Sequence, residues 1–126
     1  IPSKLRDRLG SEVVIGRSLE QCAAIWTPDG FDSYTEGFLH ELHPLSEEAR
    51  DLTAYFSGNS FDSEIDKAGR AMVPANLLAH AGIEKEVIVV GAHDHIQLWS
   101  PEAWNERSSA VAANLKTTVA KIVSAG

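Results

Sequence analysis

Two β-branched runs, Val13-Val14-Ile15 and Val87-Ile88-Val89-Val90, are each followed by a polar stretch and a second apolar run that ends on a tryptophan, Trp26 or Trp99. Runs of this kind predict strands. Each pair is therefore read as a hairpin, turning through Leu19-Glu20-Gln21 in the first and Ala92-His93-Asp94 in the second. Ahead of each hairpin a short helix is expected. Pro2 and Pro74 suit its first turn, where a missing N–H costs nothing. Gly10 and Gly82 suit its end, where a positive φ is wanted. Behind each hairpin, Thr27-Pro28-Asp29 and Ser100-Pro101-Glu102 combine a hydroxyl N-cap, a proline at N1 and an acid in the first turn. Both are strong helix openings.

The shared order of elements reflects an internal repeat. Ile25-Trp26-Thr27-Pro28-Asp29-Gly30-Phe31 returns as Leu98-Trp99-Ser100-Pro101-Glu102-Ala103-Trp104. Upstream, Ile1-Pro2-Ser3-Lys4-Leu5 with Leu9-Gly10 echoes Val73-Pro74-Ala75-Asn76-Leu77 with Ala81-Gly82. The chain is thus expected to be pseudo-symmetric: residues 1–57 as a first repeat carrying an insertion, residues 58–126 as a second repeat, the two intertwined in one domain. The second repeat has a prologue, a strand at 61–65 with Phe61, Ser63 and Ile65 on one face, whose counterpart would precede Ile1. In the insertion, His43-Pro44-Leu45-Ser46 separates two acidic helices at roughly 29–42 and 46–57, with Ser46 as the second cap. From Pro101 one long helix is expected, with Val111, Leu115, Val119 and Ile122 as an apolar seam. Core packing is the first reading of that seam and a subunit contact its rival.

Composition narrows the classes. Of 126 residues, 44% are hydrophobic and 23% charged, ordinary for a globular domain. No apolar run approaches the roughly 18 residues that a membrane helix needs, and no signal peptide is visible in the sequence. The single cysteine, Cys22, lies in an apolar run and reads as a buried thiol in a reducing compartment. A net charge of −7 argues against general nucleic-acid binding. The surplus is local, however. Residues 29–51 hold Asp29, Asp32, Glu36, Glu41, Glu47, Glu48 and Asp51 against Arg50 alone, whereas Lys4, Arg6 and Arg8 face only Asp7 near the start.

The segment that bears chemistry is Asp66-Lys67-Ala68-Gly69-Arg70, placed where the prologue strand must turn towards Pro74. Gly69 accepts backbone angles that other residues resist. Asp66 can accept bonds from N–H groups inside the turn. Lys67 and Arg70 then project from a rigid tip, and arginine's planar fork can grip phosphate or the O6/N7 edge of guanine. Taken alone, these five residues also fit a charged hairpin turn with no further role. Other clusters read more plainly. His93-Asp94-His95 looks like polar turn residues rather than a metal pair. His40 and His43 fit one solvated helical face. Trp26, Trp99 and Trp104 fit edge packing more than base stacking. Neither a glycine loop for phosphates, a set of metal ligands nor a nucleophile elbow is present, so no enzyme chemistry, cofactor or small-molecule substrate is expected.

Taken together, the Asp66-x-x-Gly69-Arg70 turn, the Pro74 helix, the run from Gly82 to Gly91 and Ile96-Gln97-Leu98-Trp99-Ser100-Pro101-Glu102-Ala103-Trp104 resemble the MraZ family. That family comprises bacterial transcriptional regulators related to the AbrB and MazE swapped-hairpin proteins. The resemblance extends from Ile1 to about Arg107. It implies an α+β fold, a tandem-repeat double-split (swapped-hairpin) β-barrel with flanking helices, assembled into a closed ring. It also implies a cytoplasmic, nucleoid-associated repressor that binds promoter DNA of a division and cell-wall gene cluster. Family members carry the Asp-x-x-Gly-Arg turn in both halves; here the second is present, and the first would fall before Ile1. On this reading Arg70 reaches base edges or phosphate, Lys67 neutralises phosphate, and Asp66 and Gly69 shape the turn. Lys4 and Arg8 are further backbone-contact candidates, with a solvated face as the alternative. The competing reading is a protein-interaction module, antitoxin-like or scaffolding, that docks through the acidic helices at 29–57.

Overall fold

The computed structural model describes residue 7 and residues 9–125. The expected first helix, with Pro2, Lys4 and Arg8, lies largely outside them, and Lys4 and Arg8 lie outside altogether. Among the described residues the elements run β1 (Glu12–Arg17), β2 (Ala23–Trp26), α1 (Pro28–Leu39), α2 (Glu47–Gly58), β3 (Ser60–Glu64), α3 (Ala75–Ala81), β4 (Ile88–Ala92), β5 (His95–Trp99) and α4 (Pro101–Ala125). The fold is α+β.

All five strands form one antiparallel sheet in the order β3-β1-β2-β5-β4. Each hairpin pairs internally, with Val14 opposite Trp26 and Val89 opposite Leu98. The hairpins meet through β2 and β5, where Ile25 faces Ile96. The prologue strand crosses over: β3 pairs with β1 of the first repeat, Ile15 opposite Phe61, rather than with its own hairpin. Among the described residues the sheet is open, its outer strands β3 and β4 unpaired with one another.

Side chains alternate between the two faces of a strand, and each face here has its own cover. Val13, Ile15, Ala23, Ile25, Ile96 and Leu98 point to one side and form a core with Leu9, Ile65 and Leu77. Helix α3 supplies Leu77 and lies against β1 and β2. On the other side Trp26 is buried, its ring centroid 5.2 Å from that of Phe31, 5.0 Å from Tyr34 and 5.6 Å from His95. Tyr34 and Phe38 of α1 in turn meet Phe56 of α2. The acidic insertion is thus fixed to the sheet by rings, with its seven carboxylates on the outside. Trp99 is buried against Trp104 at the root of α4, centroids 5.7 Å apart.

Local chemistry sets the boundaries. Thr27, Ser46 and Ser100 each accept a hydrogen bond from a backbone N–H three residues on, at 2.9, 3.2 and 3.1 Å, satisfying donors that a helix start leaves open. Gly10 (φ 76°) and Gly82 (φ 70°) take the left-handed conformation expected at helix ends. Pro74 stands one position earlier than expected, at the N-cap. Cys22 is fully buried, and burial pushes its thiol up to about 11.

Two expectations are corrected. Helix α1 stops at Leu39, so His43 is not on its face; His43 instead sits in the connecting loop, its Nδ1 accepting from the Leu45 N–H at 3.1 Å. Pro44 disfavours a helical conformation at His43 itself, and past Leu39 the chain turns through a bond from the Leu42 N–H to the Leu39 carbonyl at 3.0 Å. The α4 seam is not core: Val111, Leu115, Val119 and Ile122 are all exposed. Its spacing marks an apolar stripe but does not say what covers it.

Leu77 has no exposed surface and is the contribution of α3 to the core. Leu77→Ala is expected to cost about 2–5 kcal/mol, read as a lower midpoint in chemical denaturation with an unchanged slope.

Candidate nucleic-acid interface

The turn after β3 is anchored at both ends. Ile65, just before it, is buried, and its N–H donates to the Ser11 carbonyl at 2.8 Å. Ala71 and Val73, just after it, pack against the same core. Between these anchors Asp66 organises the loop. Its Oδ1 accepts from the N–H groups of Ala68 and Arg70, both at 2.9 Å. Its carbonyl accepts from the Gly69 N–H, and its own N–H donates to the Arg70 carbonyl, again both at 2.9 Å. The chain closes on itself only because Gly69 adopts φ 82°, a region that costs a side-chain-bearing residue about 1–2 kcal/mol.

Asp66 also has a second use. Its Oδ2 accepts from Arg70 Nε at 3.0 Å. The pair is solvent-exposed, Arg70 to 81% and Asp66 to 46%, so its direct worth to stability is small. Its geometric effect is larger. One bond at Nε aligns the guanidinium and leaves the η nitrogens to meet a ligand. The backbone N–H of Arg70, and then its side chain, hold the Asp66 carboxyl below the ordinary aspartate range. Aspartate and arginine four positions apart were the sequence signal for this pairing.

Lys67 is exposed on the same tip, so the structure brings Asp66, Lys67, Gly69 and Arg70 together. Lys4 and Arg8 lie outside the described residues. Met72, 82% exposed, stands beside the turn and was not among the candidates; alternation between the packed Ala71 and Val73 pointed to it. The surface behind the tip is acidic. Asp62 and Glu64 are exposed on β3, and Glu64 stands directly opposite Glu12. Along β3 and this turn, positive charge is therefore confined to Lys67 and Arg70. Elsewhere, His95 Nδ1 lies 2.8 Å from Asp94 Oδ1 in the second hairpin turn, where His93 has φ 58°. Among the described residues no group of three or more His, Cys, Asp or Glu side chains is placed to hold a metal ion. No helix among them is long and apolar enough to cross a membrane.

Comparison with known proteins gives a consistent match. Residues 56–124 fit a family model described as "MraZ protein, putative antitoxin-like". A "Transcriptional regulator MraZ" from Lachnoclostridium phytofermentans is 38% identical over 108 residues, covering 86% of this chain and 75% of that protein. The protein of the same name from a Thermoanaerobacter species is 37% identical over 109 residues, covering 86% and 76%. That from Clostridium beijerinckii is 35% identical over 106 residues, covering 84% and 74%.

Two outcomes test the turn. The bonds to Asp66 require its charged form, and they depress its folded pKa below the unfolded value of about 3.9. Their contribution is fully present above that value and is lost as pH falls through the depressed folded midpoint. An NMR titration should show the Asp66 carboxyl and the Ala68 and Arg70 amides changing together, below the ordinary aspartate midpoint. Gly69→Ala should destabilise the chain by about 1–2 kcal/mol in urea denaturation; no change would mean the turn has another conformation.

Proposed function

The chain belongs to the MraZ family, and on that basis we propose that it is a sequence-specific DNA-binding transcriptional repressor without catalytic activity. Its matched relatives are named transcriptional regulators. The observation that carries the reading is the Arg70 side chain, 81% exposed yet aligned by a carboxylate of its own turn. A guanidinium held in this way has given up part of its rotamer freedom before binding, which reduces the entropy cost of association. Arg70 reads base edges through its η nitrogens, Lys67 neutralises phosphate, and Asp66 and Gly69 set the shape. Lys4 and Arg8 add contacts to the backbone.

The charge distribution supports a narrow contact. With Asp62, Glu64 and Glu12 behind the tip, a duplex is repelled from the sheet edge and admitted only at the corner. One such corner binds weakly. The proposal therefore includes a closed ring of copies, so that several tips engage repeated promoter sites and effective concentration multiplies the affinity. It also includes closure of the open sheet into a double-split barrel, the two repeats forming one intertwined domain. A strand placed on β4 as β3 is placed on β1 would complete the pseudo-symmetry. The regulated promoter is that of a division and cell-wall gene cluster, and the site of action is the cytoplasmic nucleoid.

The test is competition between a labelled fragment of the chain's own upstream region and random DNA at matched salt. Preference for the upstream fragment is expected; equal binding overturns the proposal. Arg70→Ala should weaken the specific complex by about 1–3 kcal/mol for each base that the arginine reads. Arg70→Lys should restore little, because the ammonium lacks the planar fork.

A further inference from the structure

Among the described residues, the distal half of α4 is a helix without a neighbour in its own chain. Every residue from Val111 to Ser124 is exposed, including Val111, Leu115, Val119, Ile122 and Val123 along one side. Such a segment is poorly supported on its own. Isolated helices below about 12–15 residues are marginal in water and depend on packing of their apolar face. The β-branched residues Thr117, Thr118, Val119, Ile122 and Val123, clustered near its end, make this one weaker still.

Charge identifies what covers it. From Ser108 to Ala125 the helix contains no acid and two lysines, Lys116 and Lys121. The outer surface of the α1–α2 hairpin carries seven exposed acids against Arg50, and beside them the exposed apolar side chains of Phe38 and Leu45. We propose that the distal half of α4 docks on the α1–α2 hairpin of a second copy of this chain. The apolar stripe lies over Phe38 and Leu45, and Lys116, at the margin of that stripe, approaches the carboxylates around Glu36 and Glu41. Pairing of α4 with another α4 is disfavoured, because it gathers four lysines with no acid between them. The proposed contact joins two different surfaces. Repeated from copy to copy, such a contact can build the ring, whereas a symmetric α4–α4 contact stops at a dimer. This inference rests on the ring reading above and deepens it by assigning the interface.

The experiment is sedimentation velocity on the purified chain at micromolar concentration, with folding checked by circular dichroism. The parent should be oligomeric, and Val119→Glu with Ile122→Glu should reduce it to monomer. Lys116→Glu should raise the dissociation constant at least tenfold at low salt, Lys121→Glu on the far side should change it little, and adding Glu36→Lys with Glu41→Lys to Lys116→Glu should recover most of the loss. Because Cys22 is buried, cross-linking can be directed: a Val119→Cys chain mixed with a Leu45→Cys chain should form a disulfide-linked pair. Linkage of Val119→Cys chains to one another instead, or an oligomer untouched by the α4 variants, overturns the assigned interface while leaving the ring reading intact. A parent chain that is monomeric at every concentration removes both.

Discussion

The pairing of β3 with β1 is the constraint on which the rest of the structure depends. It joins a strand of the second repeat to the hairpin of the first, from Glu12 opposite Glu64 to Gly16 opposite Ser60. Backbone bonding continues one step further, from the Ile65 N–H to Ser11. The turn that bears Arg70 therefore starts from a residue held by core packing on one side and by a sheet on the other. A turn of the same sequence on a free loop would keep its internal bonds to Asp66 but would have no fixed direction. Rigidity at the tip is thus long-range in origin, although the bonds that shape it are local.

A second arrangement follows from how the insertion is attached. Phe31, Tyr34, Phe38 and Phe56 gather around Trp26 on the face of the sheet away from the main core. Rings make this attachment without using any of the carboxylates, which stay in water where their charge costs least. The chain can then carry a net −7 while keeping its cations at chosen places. Position, rather than total charge, decides where a polyanion could approach. Glu12 and Glu64, facing each other across β1 and β3, sharpen that boundary.

Much of the architecture was legible because it is dictated by short-range chemistry. The hydroxyl caps at Thr27, Ser46 and Ser100, the positive-φ glycines at Gly10, Gly69 and Gly82 and the two hairpins each depend on a few adjacent residues. So does the bonding of Asp66 to the amides of its own turn. What was not legible depends on residues far apart in the chain. Nothing in Ser60–Glu64 names β1 as its partner, since an alternating strand fits either hairpin. Exposure of the α4 seam was hidden for the same reason: a stripe of Val, Leu and Ile has one appearance whether its cover is the same chain or another. His43 was misplaced because a three-residue spacing suggests a shared face only if the helix continues, and here it ends at Leu39.

The two rims of the sheet differ in kind. On β3 the outward side chains include Asp62 and Glu64, charges that discourage further strands from adding and so act as gatekeepers against aggregation. On β4, Ile88 to Ala92 contains no charged residue at all. Strand addition is consequently one-sided: the rim beside the arginine corner turns a further strand away, and the opposite rim is the one that suits the strand closing the barrel. Self-recognition through backbone pairing is thereby kept away from the surface where an anionic ligand would arrive.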